Sequence, residues 1–293
     1  MRGADIPGTR TEETILNDSV DAGGPARTAK EGNMESSTVR IDGTVWFFLE
    51  NGKGRPVLLV HGNTGSSTWW ERILDLPGCR CVAPDIPNFG RSGPLGRDIT
   101  IDTYADSLAD FIDAKGLKGA VAVGHSLGGS VCLSLAARHA ESIGGLVLVD
   151  SSSPRGLSTP EASYPAIEAM RTNRSILEQA LKAVVPTLVD DVLFGRLVDD
   201  AMRMAAPAWI GNARALSAFD VSGRLGGWTK PVLVLWGRKD VLITEAMARE
   251  TAAAFRNARL EILEEVGHSA IVEDPDRFKQ LLSQYLTTLP AAR

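Results

Sequence analysis

The chain has 293 residues, 44% of them hydrophobic and 23% charged, with a formal net charge of -5 at pH 7. This is the composition of an ordinary soluble globular protein, long enough for one large α/β domain with an insertion or for two small domains. No Lys/Arg run invites nucleic acid, and apolar stretches such as residues 57–60, 121–123 and 146–149 fall far short of the roughly 20 residues that cross a bilayer.

Residues 1–36 are polar, lack a sustained apolar period and lack the apolar core of a signal peptide, so they read as a flexible N-terminal tail. From residue 37 onward, strand-like and helix-like segments alternate, which favours a mostly parallel sheet covered on both faces. Residues 38–41 and 44–49 predict an opening hairpin around Asp42-Gly43. Buried strands are expected at 57–60, 79–83 and 120–124. Between the last two, Ile101, Tyr104, Ala105, Leu108, Phe111 and Ile112 recur at helical spacing. Further strands are expected at 146–150, 231–236 and 260–263, and helices at 245–255 and 276–286. Between residues 151 and 229 the alternation breaks into a helical stretch with scattered Pro, Gly, Met and Arg, long enough for about four short helices. It reads as a cap inserted into a core made of residues 37–150 and 230–293.

The three cysteines, Cys79, Cys81 and Cys132, have neither disulfide nor metal spacing. Two lie close together on an expected strand and one on an expected helix, as small buried hydrophobes in a cytoplasmic protein would.

The chemistry concentrates where the apolar run Val121-Ala122-Val123 meets Gly124-His125-Ser126-Leu127-Gly128. A Gly-x-Ser-x-Gly between strand and helix is a nucleophile elbow, a strained turn that projects the serine hydroxyl into a cleft. A serine hydroxyl needs a base within reach and a third group to hold that base. There are four histidines. His125 precedes the nucleophile and points elsewhere, His139 ends the following helix, and His61 fits a loop organiser. His268, in Val266-Gly267-His268-Ser269 between the last strand and the last helix, is left as the base. Asp240, closing Gly237-Arg238-Lys239-Asp240 past a strand, gives the order Ser, Asp, His. Asp150, at the end of an earlier strand, is the rival carboxylate. The oxyanion formed during acyl transfer needs preorganised donors. The N–H of Leu127 follows from the elbow, and that of Asn63, with Thr64 as its neighbouring alternative, from the loop His61-Gly62-Asn63-Thr64-Gly65. That glycine-bearing loop matches neither the dinucleotide nor the P-loop pattern.

Together, His61-Gly62-Asn63, Asp85-Ile86-Pro87-Asn88-Phe89-Gly90-Arg91-Ser92, Gly124-His125-Ser126-Leu127-Gly128, Gly237-Arg238-Lys239-Asp240 and Gly267-His268 resemble the α/β-hydrolase fold family. The resemblance implies an eight-stranded sheet, a cap over the active site, and hydrolysis of an ester, thioester, lactone or amide through an acyl-enzyme. Many relatives carry glycine at the position of Asn88. The preferred reading is cleavage of a small apolar ester or lactone on Ser126, with no metal and no organic cofactor. A carbon-carbon bond hydrolase of a ring-cleavage product, and an acyltransferase or perhydrolase with the same triad, stay open. So does a non-catalytic small-ligand binding module. Ser126 argues against the dehalogenases and epoxide hydrolases, which place an aspartate at the elbow. Trp69, Trp70, Trp209 and Met202 are candidate pocket residues, with Met204 and Ile210 as further apolar lid positions.

Overall fold

The computed structural model describes residues 13–15 and 34–290. Among the described residues there are nine strands: β1 (Glu13–Ile15), β2 (Glu35–Ile41), β3 (Thr44–Gly52), β4 (Arg55–Val60), β5 (Cys79–Pro84), β6 (Ala120–His125), β7 (Ile143–Val149), β8 (Val232–Gly237) and β9 (Ala258–Leu263). They form one sheet in the order β1-β2-β3-β5-β4-β6-β7-β8-β9. The first strands pair antiparallel as far as β3 with β5, and every pair from β5 to β9 is parallel.

The hairpin falls where Asp42-Gly43 predicts it. Ile41 pairs with Thr44, and both turn residues have positive φ, 47° and 81°, the twist that suits a two-residue hairpin. β1 corrects the reading of residues 1–36 as tail throughout. It pairs antiparallel with β2, Thr14 opposite Thr38, and adds a ninth strand to the expected eight. β2 would otherwise be an edge with an unpaired row of backbone donors and acceptors, which short segments of extended chain readily cover. β2 itself begins at Glu35, and the rest of the expected tail lies outside the described residues.

Val57 to Val60 of β4 have no exposed surface, because strands lie on both edges of β4 and helices cover the sheet. The helices are α1 (Ile101–Ala114), α2 (Leu127–Arg138), α3 (Tyr164–Thr172), α4 (Arg174–Val184), α5 (Asp191–Ala201), α6 (Ala206–Ala218), α7 (Glu245–Ala253), α8 (Ala270–Glu273) and α9 (Pro275–Thr287). α1 starts at Thr100, whose hydroxyl accepts the Thr103 N–H at 2.9 Å, and it buries the apolar face its spacing predicts. On α9 the Tyr285 hydroxyl accepts from Leu146 N and donates to Pro231 O, stitching β7 to the entry of β8.

Four helices, α3 to α6, occupy the chain between β7 and β8. The apolar faces of α4 and α5 are narrow, Leu177 and Leu181 on α4 and Leu193, Leu197 and Val198 on α5. Polar contacts tie them to the core. Asp200 Oδ2 accepts from the hydroxyls of Ser66 at 2.6 Å and Thr68 at 2.5 Å, and Ala205 N donates to Asn88 O at 2.8 Å. All three cysteines are buried and free. Among the described residues no helix is long and apolar enough to cross a membrane.

Candidate active site

In a parallel sheet the loops at the C-terminal ends of neighbouring strands meet at one edge, and side chains delivered there converge. Val60 pairs with Gly124, so the loop after β4 and the turn after β6 are adjacent. A Cβ built on Gly62 would lie 2.9 Å from Ser126 Cβ, so this loop touches Ser126 with only hydrogen to spare.

Ser126 has φ 54° and ψ -119°, a conformation that costs a non-glycine residue on the order of 1–3 kcal/mol. The surroundings hold it there. Ser126 N donates to Val149 O at 2.9 Å, and its carbonyl accepts from Gly129 N at 2.9 Å at the start of α2. A Cβ on Gly128 would stand 2.4 Å from the carbonyl oxygens of Val60 and His61, and one on Gly124 2.4 Å from Gly128 O. The two glycines of the motif are therefore demanded by close backbone approach. Ser126 is half-buried, whereas its neighbours from Ala120 to Ala136 are buried. Leu127 opens α2, so its N–H has no carbonyl one turn earlier to bond. Gly65 N closes a turn onto Gly62 O at 3.1 Å, leaving the N–H groups of Asn63 and Thr64 outside that bond; Thr64 takes φ 55°.

His268 and Asp240 come together as the chain order predicts. His268 Nδ1 lies 2.7 Å from Asp240 Oδ2, with both side chains almost wholly buried. The other oxygen, Oδ1, accepts the N–H groups of Leu242 at 2.7 Å and Ile243 at 3.0 Å, which aims the carboxylate at the ring. Asp150 does not take this place. Its Oδ1 accepts Gly237 N at 2.8 Å, and its Oδ2 is buried with no partner among the described residues. Burial, reinforced by the nearby charge of Asp240, pushes its carboxyl well above the usual range. The direction of that shift disfavours a second negative charge in the interior beside Asp240.

The His268 loop is held by residues that sequence patterns do not single out. Its N–H donates to Val184 O at the end of α4, 2.9 Å away. Its carbonyl lies 2.9 Å from His125 Nε2 and can only accept, so Nε2 carries the proton of that ring and Nδ1 the lone pair. His125 Nδ1 is buried without a partner among the described residues, and burial together with the His268 charge depresses the ring to about 3. Glu273 brackets the histidine from both sides, accepting Gly267 N and Ser269 N at 3.0 to 3.1 Å. It also accepts Thr187 N and Oγ1, at 3.1 and 2.6 Å, from the helical insertion. A carboxylate four residues past Ser269 is a weak cue in the sequence. The partners from positions 184 and 187 leave none.

His61 organises the loop it begins. Nδ1 donates to Gly62 O at 2.8 Å and Nε2 accepts Ile86 N at 3.0 Å, joining the loop after β4 to the one after β5; burial lowers the pKa of this ring too. Asp85, fully buried, accepts Ser67 N at 2.6 Å and Arg91 N at 2.8 Å across the same seam.

Of the candidate pocket residues, Trp69 stacks on His125, the residue before Ser126, with ring centroids 5.7 Å apart. Trp70 is core: it has no exposed surface and packs near Phe278. Trp209 is 2% exposed and turns its Nε1 onto Met204 O at 3.3 Å. Met202 sits 36% exposed at the end of α5, because the helix stops there and the side chain projects outward. Met204 is buried instead, its Sδ 3.8 Å from Asn212 Nδ2.

A mostly parallel sheet in this strand order, with a serine on a left-handed turn between a central strand and its helix, defines the class of α/β hydrolases. The chain belongs to the alpha/beta hydrolase family, whose model matches residues 57–281. It is 29% identical over 251 residues to haloalkane dehalogenase 2 of Mycobacterium tuberculosis, covering 78% of this chain and 87% of that protein. It is 26% identical, with the same coverage, to a 2-hydroxy-6-oxononadienedioate/2-hydroxy-6-oxononatrienedioate hydrolase of a Pseudomonas species. Among solved structures it is similar to the enol-lactonase from Burkholderia xenovorans, with a TM-score of 0.76 at 24% identity over 84% of this chain and 98% of that one.

Proposed function

We propose that this α/β hydrolase cleaves a carboxylic ester or lactone through an acyl-enzyme on Ser126. The observation that carries the reading is the buried His268–Asp240 pair, 2.7 Å apart, at the sheet edge where the strained Ser126 turn lies. Because Nδ1 of His268 is engaged by Asp240, Nε2 is the nitrogen left to take the proton of the Ser126 hydroxyl. Ser126 Oγ attacks the substrate carbonyl, and the N–H groups of Leu127 and Asn63 receive the developing oxyanion, each worth roughly 3 to 4 kcal/mol of transition-state stabilisation. Nε2 then hands its proton to the leaving group. Water, deprotonated by the same nitrogen, resolves the acyl-enzyme. The insertion of residues 151–229 acts as the cap, since α4, α5 and α6 each bond to a loop at this edge. These steps need only groups of the chain itself.

A carbon-carbon hydrolase is the second reading, supported by the Pseudomonas relative. One experiment separates the two: p-nitrophenyl esters, lactones and a ring-cleavage dienoate are assayed with wild type and Ser126→Ala. Serine-dependent turnover of esters or lactones is expected, and turnover of the dienoate alone would move the assignment. Silence throughout, with no labelling of Ser126 by a fluorophosphonate, would leave a ligand-binding module.

A further inference from the structure

One side chain of the helical insertion reaches the loop that carries Asn63. Asn212, on α6, is fully buried, and its Nδ2 donates to Asn63 Oδ1 at 2.8 Å. Asn212 Oδ1 accepts from the Tyr104 hydroxyl at 3.0 Å, and that hydroxyl accepts from Asn88 Nδ2 at 3.0 Å. Asn88 Oδ1 accepts in turn from Leu95 N at 3.0 Å. Carboxamide oxygen and nitrogen are near-isosteric, so the polarity of such a chain must be set by a group that cannot reverse. Leu95 N–H is one, since a backbone N–H only donates. It fixes the Asn88 oxygen, hence its NH2 toward Tyr104, hence the hydroxyl proton toward Asn212. Met204 Sδ, which only accepts, lies 3.8 Å from Asn212 Nδ2 and sets the same orientation from a second direction. Burial raises the Tyr104 phenol to about 12, so the hydroxyl keeps its proton.

The consequence falls on Asn63. Its carbonyl oxygen is consumed by Asn212, and no described residue hydrogen-bonds its NH2. Asn63 is half-buried and follows Gly62, the residue pressed against Ser126. Asn88, at φ 77°, is the far anchor of the chain.

We propose that Asn63 is a specificity-determining residue, offering its side-chain NH2 to an acceptor oxygen on the substrate, with the donor polarity imposed through Asn88, Tyr104 and Asn212. The substrate class so defined is an ester or lactone whose acyl group carries an alkoxy or keto oxygen beside the scissile carbonyl. A wholly hydrocarbon acyl group leaves the donor unanswered, and an ammonium group there opposes donor to donor. The inference rests on Ser126 as the nucleophile.

The test compares p-nitrophenyl methoxyacetate with p-nitrophenyl butyrate, which differ by an oxygen in place of a methylene. Each kcat/KM is divided by the ester's own hydroxide-catalysed rate constant to remove intrinsic reactivity. Wild type is expected to favour methoxyacetate, and Asn63→Ala to lower that normalised ratio about tenfold, the value of one hydrogen bond to an oriented donor. Asn212→Leu, which removes the donor that holds the Asn63 carbonyl oxygen and so frees the Asn63 amide to turn, is expected to lower it toward the Asn63→Ala value. A ratio unchanged in both variants, with serine-dependent turnover intact, would overturn the proposal. Absence of serine-dependent turnover of either ester in wild type would overturn the hydrolase reading, and this inference with it.

Discussion

His125 gives a pH dependence of stability that can be worked out. Its ring is neutral in the folded chain, depressed to about 3, whereas a solvated imidazole titrates near 6.5. Between these values the unfolded chain binds a proton that the folded chain refuses, so stability rises with pH through this window and is lost as the pH falls. At pH 7 the term is small, a few tenths of a kcal/mol. At pH 4.5 it reaches about 2.5 kcal/mol from the two unit differences between pH and the unfolded value. The perturbation is His125→Gln, whose Nε2 lies where the imidazole Nε2 lies and can still donate to His268 O, but which does not titrate. Urea unfolding of wild type and variant at pH 7, 5.5 and 4.5 measures the difference directly, because all other groups titrate in both proteins. The gap should move by about 2.5 kcal/mol in favour of the variant between pH 7 and pH 4.5. Parallel curves would mean that the ring charges in place, and would refute the assignment of a neutral, Nε2-protonated His125.

Ser126→Gly relieves a positive φ that serine occupies only under constraint, so it is expected to gain about 1 kcal/mol in stability while abolishing turnover. A variant less stable than wild type in thermal unfolding would contradict the strain argument. Asp240→Asn removes the carboxylate that orients His268 and is expected to cost about 10³- to 10⁴-fold in kcat. Asp150→Asn keeps an oxygen for Gly237 N and leaves the His268–Asp240 pair intact, so its kcat should stay within about tenfold of wild type, well below the cost of removing a triad member. The reverse ranking in steady-state assays would exchange the two roles.

The sequence by itself determined what is local in the chain. The turn pair Asp42-Gly43, the continuous apolar strands, the helical spacing from Ile101 to Ile112 and the strand-turn-helix around Ser126 each need only neighbours along the chain. Each appears where expected. The order Ser126, Asp240, His268 was legible for the same reason, because each residue follows the end of a strand and strand ends share one edge of a parallel sheet. Three things lay beyond it. β1 forms because β2 presents an edge, a condition written in the pairing and not in residues 13–15 themselves. Trp70 and Met202 could not be sorted into core and surface before α5 and α9 had packed. The partners of the candidate-site loops were decided by tertiary structure alone. His125 against His268 O, Glu273 between two loops, and Asn212 against Asn63 join positions up to 149 residues apart. Hydrogen bonds between such distant residues have no period or spacing for a sequence to display. They exist because a buried polar group must find a partner, and only the packed fold determines which one is within reach.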